Sequence, residues 1–357
     1  MKNILLAMSG GVDSSVAAYL LKQQGHNLTG AMMKLYTDDN MPENHRQKGC
    51  CSLEDAEDAR AVANTLGIPF YVFNFTDTFE QDVIERFIKA YQQGITPNPC
   101  IDCNRYMKFQ RFIHRATEME CGFISTGHYA RIEKDTNGRY LLKTGLDNTK
   151  DQSYVLYAMT QQQLSQTLLP LGELTKEEVR EIAQSQGFIN AKKRDSQDIC
   201  FAPDGDYAGF IERHTGEIIK PGRFVSSTGE VLGQHRGLIH YTIGQRKGLG
   251  LFNPEPLFVL SIDKQKNTVT VGKSEELFSS FLTATDINLI PMDIVYGKLR
   301  ITAKIRYSHP PQPATLWQMD KNTIKLEFDT PQRAITPGQA VVMYNDDIVV
   351  GGGTIIG

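Results

Sequence analysis

The chain has 357 residues, more than one ordinary hydrophobic core fills, so two or three domains are expected. Hydrophobic residues at 40% and charged residues at 22% describe a globular protein and exclude a disordered one. A net charge of −3 leaves nucleic-acid contact to local basic surfaces, and no apolar run approaches the roughly 20 residues of a membrane span.

In chain order, Lys2 to Met8 is a short apolar run suited to a buried parallel strand. Ser9-Gly10-Gly11 and a helix-like stretch to Gly25 follow at once, and Asn27 to Lys34 reads as a second strand. Ser52 with Asp55 starts a helix that Gly67 stops, and Phe70 to Phe75 makes a third strand. Helical patterns cover about Thr78 to Gln92 and Tyr106 to Glu120, separated by the proline-stiffened loop Thr96 to Asn104. Phe123 to Thr126 is a fourth strand, so strands and helices alternate as they do in a parallel sheet covered on both faces. A hairpin turns at Asn137-Gly138, Thr175 with Glu178 caps a helix ending before Gly187, and the α/β region closes near Cys200. Beyond it, glycine and proline punctuate short β-like runs, Leu257 to Ile262 and Thr268 to Val271. From about Leu277 the runs Thr302 to Tyr307, Ala314 to Gln318, Thr323 to Phe328 and Ala340 to Tyr344 are spaced as in a small barrel or sandwich.

Two features carry chemistry. Ser9-Gly10-Gly11-Val12-Asp13-Ser14 lies between a buried strand and a helix, where glycines bring backbone N–H groups close to phosphates and a helix N-terminus favours anions. Rival nucleotide motifs fail: Val271-Gly272-Lys273-Ser274 has Asn267 where a Walker loop needs glycine, and Gly248-Leu249-Gly250 has Asn253 at the third glycine position. The second feature is the cysteines. Six are too few for a disulfide scaffold in a chain of this size and read as reactive thiols or metal ligands of a cytoplasmic protein. Cys100 and Cys103 form half of a zinc pattern, but only the adjacent pair Cys50-Cys51 remains to complete it. Cys121, before a strand, reads as a small buried residue.

The loop string resembles that of the PP-loop ATP pyrophosphatases, which cleave ATP between the α and β phosphates to adenylate a substrate oxygen. A wider set covers nearly the whole chain: Ala7 to Ser14, Asn98-Pro99 with Cys103-Asn104, Thr126-Gly127-His128-Tyr129, Lys150-Asp151-Gln152-Ser153-Tyr154, Asp195-Ser196 with Ile199-Cys200-Phe201, and Gly244 to Gly250. In order and spacing this set is similar to the tRNA 2-thiouridylase family. The resemblance implies an adenine nucleotide α-hydrolase-like domain over residues 1–205, a small central domain over 206–276 and a C-terminal β-barrel over 277–357 that contacts tRNA. It implies that ATP with Mg²⁺ adenylates the C2 oxygen of uridine 34 and that sulfur then displaces AMP. Cys200 would carry a persulfide and Cys103 would be the second catalytic thiol, resolving the persulfide as a disulfide with release of sulfide. Ala7, Met8, Ser9, Gly10, Gly11, Val12, Asp13, Ser14, Met33 and Gly127 would bind ATP, with Asp13 placing the metal. His128, Lys150, Asp151, Gln152, Arg306, Tyr307 and Gln339 would meet tRNA, and Asn98, Pro99 and Cys100 would form the loop at the target base. The implied partners are the tRNAs for Lys, Glu and Gln and a persulfide donor such as a cysteine desulfurase or a sulfur-relay protein.

One position departs from the commonest family pattern, because Cys100 stands where that pattern has Asp. Cys100, Cys103 and Cys200 together could then hold an iron–sulfur cluster, an alternative to the persulfide route. Local charge supports an RNA partner, since Lys298, Arg300, Lys304 and Arg306 fall in a stretch without acids and Arg236, Arg246 and Lys247 lie in the middle region. Two other readings stay open: a PP-loop synthetase adenylating a small metabolite, and an RNA-binding protein that keeps its nucleotide loop for regulation.

Overall fold

The computed structural model describes residues 1–36, 52–193, 199–202 and 205–357. Cys50, Cys51, Asp195 and Ser196 lie outside the described residues. The chain divides into two compact units. One comprises Met1–Val83, Cys100–Gly205 and Asp347–Val349; the other comprises Ile84–Pro99, Asp206–Asp346 and Val350–Gly357.

The first unit is built on a five-stranded parallel sheet in the order Phe70–Asn74, Asn27–Lys34, Asn3–Ala7, Phe123–Ser125, Thr167–Leu168. Its central strand is the opening apolar run, with Ile4, Leu5 and Leu6 fully buried, and Leu6 and Met8 join Val12, Val16 and Leu21 of helix Val12–Gln23 in one core. Burial of such side chains contributes roughly 1.5–3 kcal/mol each, which is why an almost uninterrupted apolar run becomes the middle strand. Helix Leu53–Leu66 begins at the Ser52–Asp55 capping box and ends at left-handed Gly67, as the sequence implies. Helix Lys176–Ser185 likewise begins at the Thr175–Glu178 box. The hairpin Ala130–Lys134 with Tyr140–Thr144 turns through Gly138 at φ +86°, and Asp347 binds its Arg131 at 2.8 Å and Lys143 at 3.2 Å.

Three local expectations change. The stretch from Thr96 to Asn104 is not all loop, because Pro99–Asp102 is already helical and the winding continues through Cys103–Arg111 and Phe112–Glu118. Proline at the start of a helix loses no hydrogen bond and presets φ, so Pro99 opens the helix and is no break in it. Second, Cys103–Arg111 is wound as a π-helix, as is Glu80–Ile84 between Thr76–Phe79 and Glu85–Gln92. Residue type does not announce this wider winding, which is rare and often found at functional sites. Third, the strand expected to run to Tyr307 is Lys298–Lys304, so Arg306 and Tyr307 follow it in a turn.

The second unit holds a four-stranded sheet in the order Phe258–Asp263, Thr268–Gly272, Gly222–Ser226, Val231–His235, with Phe224, Val259 and Val269 fully buried between its faces. It also holds a six-stranded closed barrel in the order Phe278–Leu289, Thr323–Arg333, Gln312–Gln318, Lys298–Lys304, Ala340–Asn345, Ile348–Ile355. The last strand closes on the first through Ala284 opposite Ile355 and Leu289 opposite Gly351. Alternate residues of Thr323–Arg333, namely Ile324, Leu326 and Phe328, fill the barrel, the period-2 signature of a strand wet on one side. Helix Tyr207–Thr215, unforeseen in the sequence, packs Phe210 against Phe87 with ring centroids 6.4 Å apart. No helix among the described residues is long and apolar enough to cross a membrane.

Candidate functional site

The phosphate-type loop leaves the carboxyl end of the central strand, where ligands of open parallel sheets bind. Gly10 has φ +75°, and a Cβ there would fall 2.2 Å from the carbonyl oxygen of Asp55, so only glycine lets the chain pass behind the Ser52–Asp55 cap. Ser14 Oγ accepts from the N–H of Ser9 at 3.2 Å and donates to the carbonyl of Gly11 at 3.0 Å, which closes the loop on itself. Buried Asn190 ties it from below, donating to the carbonyl of Gly10 and to Ser15 Oγ at 2.9 Å each. Helix Val12–Gln23 starts at Gly11 with no side chain capping its first turn. Its opening N–H groups therefore still need an acceptor, and the aligned peptide dipoles favour an anion there.

Gly127 closes the other side of this cradle. A Cβ on it would stand 2.9 Å from Ser14 N and 3.1 Å from Asp13 Cβ, so any side chain would push into the start of the helix. Met33 lies half-buried near the end of the neighbouring strand, and Met8 is buried beneath the loop. These positions fit a nucleotide phosphate chain. Asp13 is already engaged: its Oδ1 accepts from Tyr129 Oη and from Lys176 Nζ, each at 2.7 Å. An Mg²⁺ ion placed by Asp13 would share that carboxylate with Lys176.

His128 is buried, and its ring is held at both nitrogens, by Thr126 Oγ1 at 2.7 Å on Nδ1 and by Lys108 Nζ at 3.3 Å on Nε2. An ammonium can only donate, so Nε2 accepts and Nδ1 carries the proton toward Thr126. Burial first, and the Lys108 charge second, hold the imidazole neutral, well below its usual range of protonation. The structure thus puts His128 inside the unit, with Lys108 as its polar neighbour.

Cys103 and Cys200 are half-buried and Cys100 is exposed. Phe201, fully buried beside Cys200, packs edge-on against Phe79 at 6.0 Å and Tyr36 at 6.4 Å. The stretch Thr76–Phe79 that carries Phe79 also packs against Cys103–Arg111. The residue after Cys200 and the helical stretch that Cys103 opens thus both pack against one short element, although 97 positions separate the two cysteines in the chain (200 minus 103). The cluster expectation finds no support: among the described residues no three Cys, His, Asp or Glu side chains converge as a metal site.

Asp151 accepts from the N–H groups of Gly145 and Ser153, and Gln152 Oε1 accepts from the N–H of Tyr129 at 3.0 Å; both side chains hold their own loop. Lys150, Lys176 and Arg180 line a shallow cavity of about 520 Å³. In the second unit, Gln339 Nε2 donates to the carbonyls of Thr96 and Pro97 at 2.9 and 3.1 Å, clamping the segment that precedes Asn98 and Pro99. Arg306 donates to the carbonyls of Arg333 and Ala334, while Tyr307 is exposed with Lys304 over its ring at 5.8 Å. Sequence reading missed Lys176, Asn190 and Lys108 as parts of the site, and it quoted Tyr129 within a motif without foreseeing its hydrogen bond to Asp13. For Lys176 a signal existed, since the Thr175–Glu178 box puts it at the start of a helix, but nothing local pointed that helix at Asp13.

A family model described as tRNA methyl transferase HUP domain matches residues 2–204. Those described as tRNA methyl transferase PRC-barrel domain and aminomethyltransferase beta-barrel domain match residues 208–273 and 279–355. A protein of Clostridioides difficile strain 630 named tRNA-specific 2-thiouridylase MnmA is 52% identical over 355 residues, covering 99% of this chain and 98% of its own. Relatives of the same name in Lachnoclostridium phytofermentans and Acetivibrio thermocellus are each 50% identical, covering 100% of both chains in the first case and 99% of both in the second.

Proposed function

The chain belongs to the family of tRNA-specific 2-thiouridylases, and from that premise we propose that it is an ATP-dependent sulfurtransferase that makes 2-thiouridine at position 34 of tRNA. The observation that carries this reading is the presence, in one compact unit, of an uncapped phosphate-type loop closed by Gly127 and of two half-buried thiols, Cys103 and Cys200.

The C2 oxygen of uridine is a poor leaving group. In the proposed route it attacks the α-phosphorus of ATP, the bond to the β-phosphate oxygen breaks, and pyrophosphate leaves while the loop N–H groups and the helix start bear its charge. Cys200 receives the sulfane sulfur as a persulfide. The Cys103 thiolate then attacks Cys200 Sγ; a Cys103–Cys200 bond forms, and HS⁻ leaves with the electron pair of the broken S–S bond. That sulfide attacks C2, AMP departs with the former O2, one proton is released, and an external thiol reductant restores the two cysteines. Lys176, on Asp13 at 2.7 Å, keeps the carboxylate oriented beside the loop. Tyr307 and Lys304 of the barrel are proposed to meet tRNA, by stacking and by phosphate contact. The tRNAs for Lys, Glu and Gln, and a cysteine desulfurase or relay protein as donor, complete the proposal.

Incubation of the protein with tRNA, ATP and a persulfide, followed by nucleoside mass spectrometry, tests it. Formation of 2-thiouridine that needs ATP and disappears in Asp13→Ala, Cys103→Ser and Cys200→Ser is the expected result. Turnover that survives in Cys200→Ser would sink the assignment.

A further inference from the structure

Lys108 is a half-buried ammonium whose hydrogen-bond partner is a neutral ring nitrogen, and it has no carboxylate within ion-pair distance among the described residues. Charges in such surroundings are usually matched by an opposite charge, because a neutral acceptor repays only part of the lost hydration. His128 is committed to this lysine: its Nδ1 proton goes to Thr126, its ring packs on Phe109 with centroids 5.9 Å apart, and it cannot itself become the missing anion. The arrangement holds a cation in place without quenching it.

What lies next to that cation follows from the winding. In the π-helical stretch Cys103–Arg111, each N–H reaches back five residues, so Lys108 sits one turn after Cys103 on the same side of the helix. Helical side chains lean toward the N-terminus, which carries the lysine chain toward the turn holding the thiol. An α-helical winding would rotate position 108 well away from position 103, since there the near neighbours are three and four residues apart. The other charged or titratable side chains on this stretch and on the elements packed against it, Thr76–Phe79, Phe112–Glu118 and Ser153–Leu156, are Arg105, Arg111, Asp77, His114, Arg115 and Glu118; Glu118 is taken by Arg115 at 2.6 Å and His114 at 3.3 Å, and Arg111 pairs with Asp82 at 3.6 Å.

We infer that Lys108, clamped by His128, is a positioning residue that holds the Cys103 sulfur in its anionic, nucleophilic form. The inference rests on the reading of Cys103 as the thiol that attacks the Cys200 persulfide. It explains why a histidine beside the nucleotide loop is buried and neutral: its task is to aim an ammonium at the thiol helix. A nearby cation favours a thiolate and thereby raises the attacking fraction at neutral pH.

The test needs no turnover. Iodoacetamide labelling of Cys103, read peptide by peptide by mass spectrometry across pH 5–10, reports its thiolate fraction. Lys108→Gln, which keeps a donor for His128 but loses the charge, is expected to label Cys103 about fivefold more slowly at pH 7 and at the parent rate at pH 10. Lys108→Arg should restore the neutral-pH rate, and labelling of Cys200 should not follow the same pattern. Lys108→Met gives the same comparison should the glutamine variant fail to fold. A labelling profile for Cys103 in either uncharged variant that superposes on the parent overturns the inference. Thiolation that persists in Cys103→Ser would instead overturn the reading beneath it, so the two failures are distinguishable.

Discussion

His128 shows how one side chain links stability to pH. Its imidazole is neutral in the fold because burial disfavours the charge and Lys108 adds to the penalty. In the unfolded chain it titrates normally near pH 6.5. As pH falls below that value the unfolded chain takes up a proton that the folded one refuses, so folding is penalised; above it the penalty is absent. The loss is at most about 1.4 kcal/mol for each pH unit below 6.5. His128→Gln, which keeps an acceptor for Lys108, should flatten this dependence, so that the melting temperature of the variant falls less than the parent's between pH 7 and pH 5.5. Parallel curves for the two proteins would show that some other group dominates acid sensitivity. At the same scale, Asp13 is surrounded by Tyr129 and Lys176 in a way that no local pattern implies, and these two residues make it part of the frame as well as of the site.

At the scale of elements, the contact that matters most joins the loop after strand Phe123–Ser125 to the start of helix Val12–Gln23. Gly127 allows the two backbones to touch, and a methyl group there would lie 2.9 Å from Ser14 N, tighter than real contacts permit. The helix start must then shift by some tenths of an ångström, away from the position that a phosphate would use. Gly127→Ala is expected to weaken ATP binding at least about tenfold, which is ~1.4 kcal/mol, while circular dichroism and tRNA affinity remain close to the parent's. Unchanged ATP affinity would mean that the loop tolerates the displacement and that phosphates do not sit at this helix. The π-wound stretch Cys103–Arg111 is the second element of consequence, since its pitch decides which side chain shares a face with Cys103.

At the scale of the whole molecule, the basic stretch foreseen between Lys298 and His309 resolves into different tasks. Arg300 is paired with Asp329 at 2.7 Å, and Arg306 is spent on barrel carbonyls. Tyr307 remains exposed beneath Lys304. Lys304→Ala should therefore weaken tRNA binding about fivefold and lower the slope of log K against log salt by about 0.7–0.9, as expected for one lost phosphate contact. Tyr307→Ala should weaken binding by a similar factor without changing that slope, and neither should alter ATP affinity. A Tyr307→Ala variant that binds tRNA like the parent would remove the barrel's turn from the interface.

The sequence by itself determined the elements whose signals are local: the apolar central strand, the capping boxes at Ser52 and Thr175, the glycine stop at Gly67, the turn at Gly138, and the loop from Ser9 to Ser14 with its affinity for anions. Each of these is decided within a few residues, by backbone sterics, side-chain caps or burial on both faces. Only the tertiary structure decided what meets across long separations. Asp13 with Lys176, Asn190 with Gly10, Phe201 with Phe79, and Gln339 with Thr96 are brought together by the order of strands in a sheet and the closure of a barrel. Pitch was beyond sequence reading as well: the same residues from Cys103 to Arg111 suit an α-helix, and packing against Thr76–Phe79 and Ser153–Leu156 accompanies the wider turn, in which Lys108 follows Cys103 by five residues. Local chemistry therefore singled out the candidate groups, while long-range packing chose their neighbours.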